Sequence, residues 1–338
     1  MTIDIDLVLD SSLPQNRLTE LGLLAEQYGI RTVWNASYLD GRDPLTNMSD
    51  LARRSTSVRV APMALNAYEM HPYRIGMALL TLNEIANGRA QTMIGGGGEV
   101  VMALDIPFEK RVRYVRECLE IVKGMCTSRP FSYEGELFRI SNYDPQWVTA
   151  EPPVLYAGAN RPQMLQMAAK FADGIFMSDL SPSLSRSAIN TVHERMAEIG
   201  RSPAGFRCNN FMAWYVYDDP EEARHEAKRW IGFRAIFREY MMREFMSAED
   251  FAIILEHIPQ IYAMASKNES SVDGVPDELL DQCVDNLTLT GGVDDLDRII
   301  EHLLEFKDIG LTEICLEVKN YPEQGIRLIG ERILPAIQ

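Results

Sequence analysis

The chain has 338 residues, of which 46% are hydrophobic and 24% charged, proportions typical of a globular protein long enough to bury a large core. A net charge of −16, from 33 Lys and Arg against 49 Asp and Glu, excludes the basic footprint of a nucleic-acid binder or of a protein that docks on anionic membranes. No run of about 18 apolar residues occurs, which excludes a transmembrane helix, and the five scattered cysteines lack metal or disulfide spacing and read as reduced thiols.

In chain order, Ile3 to Leu9 reads as a first strand. Leu18, Leu21, Leu24, Ala25 and Tyr28 recur at helical spacing and Gly29 closes that helix. Thr32 to Trp34 is a second strand, Pro44 to Arg54 a helix and Val58 to Met63 a third strand. Pro72 suits the first position of a helix that runs to Ala86 and ends at Asn87-Gly88. A fourth strand, Ala90 to Ile94, runs straight into Gly95-Gly96-Gly97-Gly98, and a helix follows from about Phe108 to Met125. Phe131 to Ile140 reads as a small hairpin. Alternation resumes with the strand Val154 to Ala157, a helix over Arg161 to Phe171, the strand Gly174 to Met177, a helix over Leu184 to Ile199 and the strand Asn209 to Val216. A long helical stretch, about 220–284, is followed by an amphipathic helix from Asp294 to Lys307, the strand Glu313 to Val318 and a last helix from Pro322. Eight short apolar strands alternating with helices imply parallel βα units. They close most simply into a (β/α)₈ TIM barrel with a helical insertion after strand 7, all in one domain over residues 1–338; an open doubly wound sheet is the alternative. The opening residues are acidic, unlike a secretory leader, so a cytoplasmic protein is expected.

In a barrel, functional residues gather at the C-terminal strand ends. The residues there are Asp10, Ser11 and Ser12; Asn35, Ser37 and Tyr38; Met63, Ala64, Leu65 and Asn66; the four glycines and Glu99; Gly158, Ala159 and Asn160; and Ser178 and Asp179. Four consecutive glycines cost backbone entropy but allow close approach of a ligand, and their amides suit an anion such as phosphate. A tight turn is the competing reading of the same residues. No Gly-Lys-Ser/Thr follows, which excludes a Walker A site, and the first strand–helix loop lacks G-x-G-x-x-G. His71 is a candidate acid or anion ligand, although a capping role suits a histidine ahead of Pro72 better. No histidine pair has metal-ligand spacing and no G-x-S-x-G elbow appears, so neither a metal nor a nucleophilic serine is expected.

Over nearly its whole length the chain resembles the luciferase-like flavin and deazaflavin (F420) oxidoreductase superfamily, and within it the branch of the methylenetetrahydromethanopterin reductases. The matching stretches include Leu24-Ala25-Glu26-Gln27-Tyr28-Gly29, Asp43-Pro44-Leu45, His71-Pro72, Leu82 to Arg89, Ile94 to Gly98, Tyr133-Glu134-Gly135, Pro152 to Ala159, Ala172-Asp173-Gly174, Leu289 to Gly292 and Ile309 to Thr312. The resemblance implies a flavin-type ring at the C-terminal mouth. Its phosphate or tail would be held by the loops after strands 4 and 5, and a non-prolyl cis peptide is expected at about Met63–Ala64. The implied cofactor set is Asn35, Ser37, Met63, Ala64, Leu65, Asn66, Gly95, Gly96, Gly97, Gly98, Ala157, Gly158, Ala159, Asn160 and Ser178, with Tyr38, Glu99 and His71 as candidate catalytic groups. Many deazaflavin-dependent relatives carry Asp-His after strand 2, where this chain has Ser37-Tyr38. A phenol, with a reference pKa of about 10, is a poorer acid than imidazole. The resemblance therefore implies an F420-dependent hydride transfer to or from a small molecule. The alternatives are an FMN-dependent monooxygenase fed by a flavin reductase and a flavin-binding protein without catalysis. A homodimer or homotetramer is expected from the same resemblance.

Overall fold

The computed structural model describes residues 2–234 and 236–337. The strands are β1 (Asp4–Leu9), β2 (Thr32–Ala36), β3 (Arg59–Met63), β4 (Gln91–Ile94), β5 (Phe131–Glu134), β6 (Arg139–Tyr143), β7 (Val154–Gly158), β8 (Gly174–Ser178), β9 (Arg207–Tyr217), β10 (Thr288–Gly292) and β11 (Glu313–Val318). Eight of them pair in parallel in the order β3-β2-β1-β11-β9-β8-β7-β4. Parallel bridges Val60–Ala90 and Leu65–Ile94 join the two ends, so the sheet is a (β/α)₈ barrel and not an open doubly wound layer. The hairpin β5–β6 stands apart as a second, antiparallel sheet.

Most elements follow from local chemistry. Pro72 opens the helix Pro72–Ile85, and His71 caps it by accepting a hydrogen bond from the Tyr73 N–H at 3.1 Å. Ser181 caps the helix Pro182–Glu198 and Asp219 the helix Pro220–Trp230 in the same way. Two expectations need correction, and one strand has no counterpart in the sequence reading. The helix expected over 44–54 is two short helices, Pro44–Asn47 and Ser49–Arg54, that meet at Met48. The helix expected from Phe108 starts at Arg111, after a separate turn of helix over Glu99–Ala103. The stretch Thr288–Gly292, rich in threonine and glycine and poor in apolar side chains, forms a ninth parallel strand beside the last residues of β9.

Between β9, the seventh barrel strand, and β10 lie the helices Pro220–Trp230, Glu239–Met242, Ala248–Glu256, Ile258–Lys267 and Asp277–Leu287. Phe237, Met241, Met242 and Met246 of this insertion are buried in the main core, whereas Phe233 is 53% exposed. No helix among the described residues is long and apolar enough to cross a membrane.

The barrel interior is layered. At the N-terminal end lies a charged layer: Arg31 pairs with Asp4 at 3.3 Å and with Glu313 at 2.5 Å, Arg207 pairs with both Asp4 and Glu313, and the Tyr156 hydroxyl donates to Glu313 at 2.7 Å. Asp6 accepts from the Trp34 indole N–H and from Asn209, each at 2.9 Å. Above this layer Trp34 meets Tyr156 and Phe176 edge-on, with centroids 5.5 and 4.8 Å apart. Trp34 is thus core, and with its two aromatic neighbours it floors the mouth.

Burial, and the neighbouring negative charge of Glu313, push the Asp6 carboxyl up to about 7. A carboxyl whose folded pKa lies above its unfolded value stabilises the fold in its protonated form, and that contribution fades as pH rises through the folded pKa. Denaturant titrations from pH 5 to pH 8 should therefore show stability falling as pH rises towards about 7 and levelling off above it. In Asp6→Asn this step should be lost. An identical pH slope in both proteins would contradict the assignment.

Candidate active site

The C-terminal mouth is built from two glycine-bearing loops and one polar chain. After β4 the backbone passes through Gly95 to Gly98 into the helix Glu99–Ala103. Gly97 has φ +80°, and a Cβ there would lie 2.9 Å from Val101 Cγ2 and 3.0 Å from Phe108 Cε1. The turn reading therefore accounts for Gly97. At Gly98 a Cβ would meet nothing within 4 Å, so protein packing does not require that glycine. At Gly96 a Cβ would sit 2.7 Å from the Arg111 methylenes, and so the missing side chain lets Arg111 lie along the loop. After β7, a Cβ at Gly158 would lie 2.9 Å from Met93 Sδ and 3.6 Å from Gly95 Cα, which brings the two loops into contact. The arrangement is a cradle with an open backbone face at Gly98.

One guanidinium group, that of Arg111, borders the glycine loop, and a second, that of Arg161, follows the Gly158 loop in the chain. Arg111 lies over the Phe108 ring at 4.4 Å, and Arg161, at the start of the helix Pro162–Phe171, lies over the Tyr240 ring at 4.6 Å. Neither pairs with a carboxylate among the described residues. Their neighbours do: Lys110 and Arg113 bind Glu136 at 2.6 and 3.0 Å. Arg111, Lys110, Arg113, Arg116 and Gln163 line one open groove of about 440 Å³ beside the glycines.

The bond Met63–Ala64 at the end of β3 is a cis peptide. The Leu65 N–H donates to the Met93 carbonyl at 3.0 Å and the Gly95 N–H to the Leu65 carbonyl at 2.8 Å, which ties this turn to the glycine loop. Asn35 is wholly buried and donates to the Leu9 carbonyl at 2.9 Å, so it fastens strand ends together. The Ser37 N–H donates to the Met63 carbonyl. Asn66 accepts from the N–H groups of Tyr68 and Glu69 at 3.1 Å and shapes its own turn. Asn160 brackets Ser178, donating to its carbonyl at 2.9 Å and accepting from its N–H at 3.0 Å. Ala157 is buried in β7 and Ala159 donates through its N–H to the Phe176 carbonyl at 3.0 Å.

Of the three candidate catalytic groups, only Tyr38 joins a network. Its hydroxyl donates to Glu317 Oε1 at 2.6 Å, and Glu317 Oε2 accepts from Arg234 Nη1 at 2.9 Å. Arg234 Nε also donates to Asp179 Oδ1 at 3.0 Å, and Asp179 Oδ2 accepts from the Ser178 hydroxyl at 2.7 Å. The network joins the ends of β2, β8 and β11 to the insertion. Burial and the Glu317 carboxylate hold the Tyr38 phenol well above its usual pKa. Burial likewise raises the Asp179 carboxyl, although Arg234 opposes the shift. His71 is exposed and its Nδ1 caps the helix that starts at Pro72. Glu99 is also exposed and accepts from the Leu39 N–H at 3.0 Å, which brings its carboxylate to the residue that follows Tyr38.

Glu317 and Arg234 were missed by sequence reasoning. A signal for Glu317 exists, because Glu313, Cys315 and Glu317 alternate along β11 and share the face turned into the barrel. Among the described residues no group of three or more His, Cys, Asp or Glu could hold a metal. Burial pushes the Cys208 and Cys283 thiols up to about 12, which leaves both unreactive near neutral pH.

With the geometry described, four likenesses to known proteins bear on it. The sequence model of the luciferase-like monooxygenase family matches residues 6–313. The 5,10-methylenetetrahydromethanopterin reductase of Archaeoglobus fulgidus is 25% identical over 93% of this chain and 94% of its own. The F420-dependent glucose-6-phosphate dehydrogenase of Nakamurella multipartita is 23% identical over 96% and 93%. Among solved structures, the coenzyme F420-dependent tetrahydromethanopterin reductase from Methanopyrus kandleri superposes over the full length of both chains with a TM-score of 0.85 at 19% identity, which shows the fold.

Proposed function

We propose, on the premise that this chain belongs to the luciferase-like monooxygenase family, that it is an F420-dependent oxidoreductase exchanging a hydride with a small organic molecule at the barrel mouth. The observation that carries this reading is the pair Arg111 and Arg161. In a chain of net charge −16, two guanidinium groups without carboxylate partners stand on the two glycine-bearing loops, Arg111 against Gly96 and Arg161 just after Gly158. Such a site fits a cofactor whose phosphate is followed by a further anionic tail. FMN ends at its phosphate and leaves the second arginine without a task.

In this reading the amides of Gly95 to Gly98 receive the phosphate, and Arg111 and Arg161 receive the tail. The turn at Met63–Ala64 and the loop at Gly158 line the seat of the ring. Trp34, Tyr156 and Phe176 close the floor and keep water out from below. The bound cofactor supplies a ring carbon that accepts or gives a hydride, and the protein's part is orientation and shielding. Tyr38 stands at the mouth as the group that contacts substrate. The insertion, about 220–284, belongs to the same domain and covers the mouth through Arg234. Its exposed Phe233, Leu255 and Tyr262 suit the interface of a cytoplasmic homo-oligomer.

Arg111→Gln and Arg161→Gln should each weaken F420 binding roughly three- to tenfold, on the scale of ~0.6–1.4 kcal/mol for an exposed charge. Each should also flatten the salt dependence of binding. Fluorescence titration at two ionic strengths measures both, and unchanged affinity and salt slope in both variants would remove the support for F420.

A further inference from the structure

The inward face of β11 does not end at Glu317. Glu313, Cys315 and Glu317 alternate along that face from the charged layer to the mouth, and the next residue in the same alternation is Lys319, just past the strand end. Its ammonium lies 3.5 Å from the centre of the Trp230 ring and 5.9 Å from that of Tyr38. The Trp230 indole N–H donates to Glu226 at 3.1 Å, and Asn320 donates to the same carboxylate oxygen at 2.8 Å. The platform under Lys319 and the residue after it are therefore held in place. The ammonium itself is not: among the described residues it pairs with no carboxylate and donates no hydrogen bond. In the closed barrel, β11 is separated from β4 by β9, β8 and β7 one way and by β1, β2 and β3 the other. Lys319 thus faces the glycine loop from the opposite rim, away from the groups assigned to the cofactor's phosphate and tail.

We propose that Lys319 is a specificity-determining residue of the substrate site, and that the substrate is a small organic acid whose carboxylate pairs with the Lys319 ammonium over the Trp230 ring. The substrate role rests on the reading of the mouth as an F420 site, whereas the anion site itself is measured in the free protein. The surroundings select the charge of the ligand. Arg234 is already shared between Glu317 and Asp179, and Asp10 adds a further negative charge near Tyr38. One ammonium in such company compensates one negative charge and not two. A carboxylate fits, whereas a phosphate ester would bring its second charge against Asp10, Glu317 and Asp179. A neutral amide or ester of the same shape leaves the ammonium without a partner, so charge separates the acid from its derivatives. Lysine is a point charge on a flexible stem, and the fixed Trp230 ring restricts where that charge sits.

Tryptophan fluorescence of the free protein, titrated with cyclohexanecarboxylate at low ionic strength, reads the site, because an anion drawn to the ammonium changes the field on the Trp230 ring. A saturable response is expected, and it should vanish in Trp230→Phe. Cyclohexanecarboxamide should give none, and inorganic phosphate should compete only weakly. Lys319→Met should weaken carboxylate binding by roughly tenfold or more, and Lys319→Arg should keep most of it. Thermal unfolding of both variants checks that they fold. F420 affinity in Lys319→Met should stay within about twofold of the wild type, as expected for sites on opposite rims. With F420 in place the carboxylate should still bind. Equal responses to the acid and the amide, or an acid response that Lys319→Met leaves intact, would overturn the proposal. So would displacement of the carboxylate by phosphate at lower concentration, or by F420, since the site would then belong to a phosphate ester or to the cofactor. No F420 binding by the wild type would bring down the cofactor reading alone, and a Lys319-dependent response to the acid would still uphold the anion site.

Discussion

Replacing Arg234 with leucine should cost about 3–5 kcal/mol of stability, the range for removing one partner of a buried ion pair. The side chains of Arg234, Asp179 and Glu317 are only 6%, 2% and 9% exposed, so solvent does little to screen the carboxylates left behind. Two carboxylates would lose their cation at once, and the insertion would lose its polar tie to the ends of β8 and β11. The triple variant with Asp179→Asn and Glu317→Gln should recover much of the loss, since it leaves no uncompensated charge. Arg234→Lys should fall between, because an ammonium cannot span both carboxylates with a planar fork. Urea denaturation of the variants at one pH measures all of these. A loss below ~1 kcal/mol in Arg234→Leu would mean that the network is not a structural tie.

The second large effect is expected at Gly98. A valine there meets no protein atom within 4 Å of its Cβ, so the stability cost should stay at about 1 kcal/mol, that of replacing glycine at this helix N-cap. Affinity for F420 should nonetheless drop by roughly 100-fold or more, equivalent to ~3 kcal/mol, because the side chain would occupy the path by which the ligand reaches the backbone. Gly97→Val is a poorer probe. Gly97 has φ +80° and packs against Val101 and Phe108, so its replacement should lose fold and binding together. Thermal unfolding and fluorescence titration of the two variants separate the effects. Full affinity in Gly98→Val would show that the glycine loop does not cradle the cofactor.

The barrel was largely legible because its signals are local. Each of the eight barrel strands is a short apolar run, and Pro72, Ser181 and Pro220 mark helix starts by their own backbone and capping chemistry. What escaped lacked such signals. Thr288–Gly292 carries too few apolar side chains to read as a strand, and only its place beside β9 makes it one. The break at Met48 comes from loop packing: Gln15 donates to the Thr46 carbonyl and to Ser49, contacts made from 31 and 34 residues away. The glycine cradle and the turn at Met63–Ala64 were visible as composition and as resemblance. The partners of Tyr38 were not, because Arg234 lies 55 residues from Asp179 and 83 from Glu317. Glu317 could have been found by asking which face of β11 each glutamate occupies. No local pattern announces which arginine of a helical insertion will reach it.

Parallel fluorescence titrations of the purified protein with F420 and with FMN, under air and under argon, test the cofactor assignment most directly. F420 should bind tightly with a marked salt dependence, FMN should bind weakly, and turnover should not depend on oxygen. Preference for FMN, with oxygen consumed on turnover, would contradict the account and make the protein a monooxygenase.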